Sequence, residues 1–384
     1  MIYFDNSASS LIKPKEVQQM VSLALSKYSA NPGRSGHKAS LITANQVEFI
    51  REKTAEMMGL SHFERVIFTQ NCSDALNIAI LGSARRGGHI VCTENEHNSV
   101  LRPLEHLKQS GMIDYSVAKQ SNSFGISEDD IKREIKPNTY LVICNHISNV
   151  NGDVAEIEKI GKYCRDKNIL FMVDGAQSGG HEDLNMERQN IDILTLAPHK
   201  GFYALQGLGV LLFSDKIDIE PIRFGGTGTN SLELVQPSIY PEKLEVGTIA
   251  TPAILGFGGG LNFVERNYNE IREKLDDLTT FLHYELSKLP VKIYTNPQNS
   301  NGVLSFNIPN IHSNEVANIL DEKYGICTRG GYHCAPKKHE ALKTLDTGTV
   351  RISLSYFNTI TEIQHFIASI KHILKSETKK LKLN

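Results

Sequence analysis

Short apolar runs alternate with helical patterns through the middle of the chain. RVIFT (65–69), HIVCT (89–93), IDYSVAK (113–119), YLVICN (140–145), ILFMVD (169–174) and ILTLA (193–197) predict strands. Helices are predicted between them through SDALNIAILGSA, near 98–110, over ISEDDIKREI (126–135) and over VAEIEKIGKYCRDKN (154–168). This is the spacing of successive βαβ units, so the fold class is α/β, with a mainly parallel sheet covered by helices on both faces. GVLLF (209–213) adds a strand expected to run antiparallel at the side of that sheet. Past residue 252 the pattern changes. TPAILGFGGGLNF and the residues up to SKL predict one or two long helices. VKIYT (291–295), GVLSFNI (302–308) and TVRISLS (349–355) predict strands, and 313–323 and 360–374 predict helices. That part reads as a smaller α+β unit. The expected division is a large domain over 15–252 and a small domain built from 1–14 and 253–384.

Composition narrows the class without naming a function. A chain of 384 residues has room for a large domain and a smaller one. With 40% hydrophobic and 22% charged residues it has an ordinary soluble profile. Lys and Arg total 41 against 43 Asp and Glu, a net charge of −2, so neither nucleic acid nor an anionic membrane is expected as partner. The opening MIYFDNSASS lacks the apolar run of a signal peptide, and no segment is apolar for long enough to span a membrane. A cytoplasmic, reducing location is the expectation. None of the six cysteines forms a C-x-x-C pair. Cys92 and Cys144 lie inside apolar strands and read as small buried hydrophobes. Cys334 lies outside any such run. The basic C-terminal KSETKKLKLN reads as a solvated helix end.

The chemistry gathers around one lysine. Asp174 ends an apolar run, which puts it at the carboxyl end of a parallel strand, where open α/β sheets bind ligands. Lys200 follows the next apolar run and is preceded by His199. An amine that can form a Schiff base, a carboxylate that can hold a pyridine nitrogen protonated, and Gln177 one turn further on are the groups that pyridoxal 5′-phosphate (PLP) chemistry needs. Singly, each has an ordinary explanation: a strand-end cap for Asp174, a solvated pair for His199 and Lys200. Cys72, Ser73 and Asp74 open a helix after a strand, where free N–H groups favour a phosphate, although capping by Ser73 or Asp74 explains them equally. His97 follows the strand HIVCT on the same edge and could lie against a ring, or be structural.

DGAQS followed by HK, with EHNSVLRP, NHISNVNG, RGGYHCAP and VRISLSYFNT, resembles the cysteine desulfurases of the class V aminotransferase superfamily, more the SufS-like (group II) branch. The likeness runs from YFDNSAS to the last helix. It implies a fold-type I PLP enzyme with a seven-stranded sheet, working as a homodimer. By motif, Lys200 matches the Schiff-base lysine, Asp174 the pyridine-nitrogen partner, Gln177 the phenolic-oxygen donor and His97 the ring-stacking residue. Cys72, Ser73 and His199 match phosphate-binding positions, and Thr248 matches a residue that reaches the partner subunit's phosphate. Asn149 and Arg351 match the holders of the substrate carboxylate. Cys334 matches the catalytic cysteine, with Arg329 close to its loop. Flanking basic groups (Arg329, His333 and Lys337) are expected to favour its thiolate.

The resemblance further implies L-cysteine or L-selenocysteine as substrate and a thiol protein or small thiol as sulfur acceptor. Three departures stand out. Ala197-Pro198 replaces the usual Ser-Gly before the His-Lys pair, Ala204-Leu205 replaces a Gly-Pro after it, and Cys72-Ser73 replaces a Thr-Thr or Ala-Thr. The alternatives are a selenocysteine lyase, another class V reaction (β-elimination or transamination), and a non-catalytic scaffold.

Overall fold

The computed structural model describes residues 1–33, 35–122, 124–229, 231–299 and 301–381. The chain opens with β1 (Ile2–Tyr3), α1 (Lys15–Ser26) and α2 (Lys38–Met57). The alternating region follows: β2 (Val66–Thr69), α3 (Cys72–Gly82), β3 (Gly88–Thr93), α4 (Asn98–Gln109), β4 (Ile113–Ala118), α5 (Glu128–Lys132), β5 (Thr139–Asn145), α6 (Ile157–Asp166), β6 (Leu170–Asp174), β7 (Ile193–Leu196) and β8 (Gly209–Phe213). The remainder is α7 (Thr251–Ser287), β9 (Lys292–Ile293), β10 (Val303–Asn307), α8 (Ser313–Tyr324), β11 (Ile326–Cys327), α9 (Pro336–Leu342), β12 (Val350–Ser353) and α10 (Ile360–Leu381). The end of the basic tail, residues 382–384, lies outside the described residues.

Seven strands form one sheet in the order β2-β8-β7-β6-β5-β3-β4. β7, β6, β5, β3 and β4 pair in parallel. β8 runs antiparallel to both β7 and β2, as expected, but it lies between them, so the edge strand at that side is β2. Side chains alternate between two apolar layers. Along β5, Val142 and Cys144 enter one core while Leu141 and Ile143 enter the other. Burial on both faces is why these strands read as unbroken apolar runs. Cys92 and Cys144 are indeed fully buried.

The later elements form a three-stranded sheet, β12-β10-β9, and the N-terminal arm joins them. β1 pairs in parallel with β11, and Asp5 bridges to Ser353. Several expected elements are shorter than their patterns. The 126–135 helix is only α5, opened by a Ser127–Asp130 capping box and ended ahead of Pro137, which disfavours helix at the residue before it. Residues 154–156 stay extended because Val154 bridges to Ile147 and Ala155 N–H donates to His146 O. The glycine-rich stretch is one continuous helix, α7. A Cβ at Gly259 would lie 2.5 Å from Glu16 O in α1, and one at Gly260 would lie 2.1 Å from Phe202 O, two residues past Lys200. These glycines let α7 press against the backbone of the lysine turn, which outweighs their poor helix propensity.

Candidate active site

The carboxyl ends of β5, β6 and β7 open on a cavity of about 140 Å³ lined by Cys72, Ser73, His97, Asn145, Asn149, Asp174, Gln177, Ala197, His199 and Lys200, among others. Parallel strands deliver these groups to one edge because each strand ends there and its loop turns back outside it. Asp174 is the last residue of β6 and is 2% exposed. Burial raises its carboxyl above the ordinary aspartate value, opposed by the Ala176 N–H at 2.9 Å, the charge of Lys200 and the Asn145 side chain. The Cys72 thiol lies 4.0 Å from its Oδ1, and burial pushes that thiol well up. Lys200 stands in the turn after β7, its N–H donating to Ala197 O at 3.0 Å. Burial pulls its ammonium below the ordinary lysine value. The Gln177 amide donates to Ser7 O at 3.1 Å, tying the N-terminal arm to this wall.

His97 caps α4. Its Nδ1 accepts from Ser99 N–H at 3.0 Å, so the neutral ring carries its proton on Nε2. Burial, then the charges of Lys200, Arg329, Arg102 and Arg351, lower its pKa to about 4. At α3 the cap is Asn71, which accepts from Asp74 N–H; neither Ser73 nor Asp74 serves. Asp74 instead takes Gln70 N–H and pairs with Arg223. Ser73 is therefore left facing the cavity, 2.5 Å from Ser99 Oγ. His199 is held near pKa 4 by burial and by Lys200 and Lys13, and its Nδ1 has no partner.

Cys334 lines an adjoining cavity of about 480 Å³ that shares Ser73, His97 and Ser99 with the first. His333 and Cys334 both adopt left-handed backbone, at φ 49° and 59°. Such a turn presents the thiol away from any regular element, a conformation non-glycine residues adopt only when their surroundings impose it. Cys334 O accepts from Asn98 N–H at 2.7 Å, which fastens the turn to the start of α4. Two of the three expected basic neighbours supply no free charge. His333 is buried, bonds through Nε2 to Thr349 O, and is held neutral well below the ordinary imidazole value. Lys337 pairs with Glu340 at 2.9 Å.

Arg351, Arg329 and Thr248 do not line either cavity. Arg351 is 1% exposed and already engaged. Its Nη2 donates to Asp5 Oδ1 at 2.6 Å and its Nη1 to Asn149 O at 3.0 Å, leaving Nε without a partner. Arg329 pairs with Arg351 through the backbone alone. Thr248 is exposed on the surface. Sequence reasoning missed Ser99, Asn145, Asp5 and Glu96. Glu96 is fully buried beside Asp174, its Oε1 accepting from Thr93 Oγ1 at 2.7 Å and Asn145 N–H at 2.8 Å. Burial pushes its carboxyl up to about 8, the neighbouring Asp174 charge adding to this. Only its place directly before His97 could have drawn attention to it.

The model of the family described as aminotransferase class-V matches residues 2–366. A probable cysteine desulfurase of Methanothermobacter thermautotrophicus is 34% identical over 94% of this chain and 92% of its own length. One from Pyrococcus abyssi is 31% identical over 98% and 95%. Among solved structures, an apo cysteine desulfurase from Thermococcus onnurineus superposes with a TM-score of 0.89 at 33% identity, over 98% of this chain and 95% of that one. A likeness this extended, carried by the same sheet that gathers Lys200, Asp174 and His97, makes the chain a member of the class V aminotransferase family, in its cysteine desulfurase branch.

Proposed function

We propose that this chain is a PLP-dependent cysteine desulfurase that converts L-cysteine to L-alanine and leaves the sulfur on Cys334 as a persulfide. The observation that carries the reading is the pairing of two adjoining cavities, one walled by Lys200, Asp174 and Gln177, the other by Cys334, with His97 common to both. The residues suit PLP. Asp174 is a buried carboxylate whose burial cost a protonated pyridine nitrogen would offset. Ser73 and the N-terminus of α3 suit its phosphate, with Thr248 reaching across from a second subunit. Bound PLP supplies the electron sink that stabilises a carbanion at the substrate Cα.

The chain's own residues do the rest. Lys200, its amine favoured by burial, holds the cofactor and then takes the Cα proton. The neutral His97 would pack against the cofactor ring and offer Nε2–H as a donor. Asn149, in the cavity wall, and Arg351 would orient the substrate carboxylate, which would take the place of the Asp5 carboxylate on the Arg351 guanidinium. The Cys334 thiolate attacks the substrate sulfur, so that an S–S bond forms as the C–S bond breaks. Cysteine plus the Cys334 thiol thus become alanine plus the persulfide, which passes to a thiol protein or small thiol. In this reading residues 15–252 form the cofactor-binding unit, and 1–14 with 253–384 form the unit that carries Cys334. The exposed apolar side chains Phe224, Leu232, Leu234, Val235 and Ile239, in the segment leading to Thr248, support a homodimer. The test is incubation with PLP and L-cysteine, with alanine and sulfide as readouts. Wild type should release alanine and Cys334→Ala should not. A protein that stays colourless with added PLP and yields no alanine refutes the reading.

A further inference from the structure

One loop, residues 148–153, grips the cysteine turn on both sides of Cys334. Asn149 Nδ2 donates to the carbonyl of His333 at 2.6 Å, the residue before the thiol. Beyond the thiol, on α9, Lys338 Nζ donates to Asp153 Oδ2 at 2.8 Å, and both side chains are buried, 3% and 4% exposed. Each partner is further satisfied. Asn151 and Asn299 donate to the Asp153 carboxylate at 2.9 and 3.0 Å, and Lys338 also donates to Gln120 Oε1 at 3.0 Å. The adjacent Lys337 makes an exposed pair within α9 itself, which ties nothing to the rest of the molecule. A buried ion pair gains little net stability over apolar packing, so its use is in fixing geometry. Here the geometry being fixed is a turn with two successive left-handed non-glycine residues.

We propose that Asp153 and Lys338 are positioning residues for Cys334. Their buried pair sets where the thiol stands relative to the Asn149 loop, and with it the substrate sulfur. Sulfur transfer depends on that distance; removal of the Cα proton by Lys200 does not. The proposal rests on the reading of Cys334 as the sulfur-accepting thiol.

The holoenzyme is prepared with Lys338→Met and, separately, with Asp153→Asn, and two steps are measured. Proton removal is read as deuterium uptake at Cα of L-alanine in D2O, which needs Lys200 but no thiol. Sulfur transfer is read as alanine released from L-cysteine in a single turnover. Exchange should stay within about twofold of wild type while sulfur transfer falls roughly 10- to 100-fold, the cost of misplacing a reacting group by about 1 Å. Lys338→Arg keeps the charge and should restore part of the rate. If Lys338→Met does not fold, Lys338→Arg alone should show the same split at roughly 3- to 10-fold. Equal losses in both steps, or no loss in sulfur transfer, overturn the proposal. Cys334→Ala separates the two readings. If it still desulfurates cysteine, the role of Cys334 fails and this proposal with it. If it is inactive while the Lys338 and Asp153 variants match wild type, this proposal alone falls.

Discussion

Glu96 gives a quantitative test of the site's electrostatics. Its carboxyl is fully buried and pushed from 4.5 up to about 8, so at neutral pH it is a neutral acid beside the Asp174 carboxylate. The sign follows from proton counting. Between pH 4.5 and 8 the folded protein keeps a proton that the unfolded chain has released, so stability falls as pH rises through that window. The slope approaches about 1.36 kcal/mol per pH unit. Integrated from pH 6 to 8, it amounts to roughly 2 kcal/mol. Glu96→Gln has the same shape and no proton to lose. The depressed histidines titrate alike in both proteins, so their contribution cancels in the comparison. Unfolding midpoints at fixed protein concentration from pH 6 to 8 should show wild type losing about 2 kcal/mol relative to the variant. Parallel curves would mean that Glu96 is ionised in the folded state, and that the Asp174 neighbourhood carries two negative charges.

On the acid side, His146 is buried and held near pKa 4, so it costs stability as pH falls from about 6.5 to about 4. His146→Gln should shrink that acid loss by roughly 2 kcal/mol between pH 7 and 5, read from thermal midpoints at those two pH values; an unchanged acid limb refutes it. Glu245 meets the buried Arg51 through two hydrogen bonds, at 2.8 and 3.1 Å, and also accepts Phe68 N–H at 2.7 Å. Glu245→Gln should therefore destabilise the fold by roughly 3 kcal/mol, because the buried Arg51 charge keeps only the half-exposed Glu48 carboxylate, 3.5 Å from its Nε; a shift within the error of the melting curve argues against it. Thr248→Ala should weaken PLP retention on dialysis severalfold while leaving the melting temperature of the cofactor-free protein unchanged. Mixed dimers of Thr248→Ala with Lys200→Ala should hold about half the wild-type PLP if Thr248 serves the opposite subunit, because both lesions then fall in one site and leave the other intact; less than half would mean that Thr248 serves its own subunit.

The sequence by itself determined the sheet and most of the cavity. Apolar runs buried on both faces are legible as runs, and strands that end in Asp174, or just before His97 and Lys200, must deliver those residues to one edge. The motif likeness then placed Cys334 beside them. What sequence could not determine were the contacts between segments far apart in the chain. Nothing local says that Asp5 occupies Arg351 across 346 positions, or that Lys338 reaches Asp153 across 185. Nor does the sequence show that Asn71 takes the α3 cap and leaves Ser73 free. The charge state of the cysteine turn was decided in the same way. His333 reads as a cation next to a thiol, and only tertiary burial against Thr349 makes it neutral. Side-chain type and spacing are written along the chain, whereas desolvation and ion pairing belong to whatever the fold packs around each group.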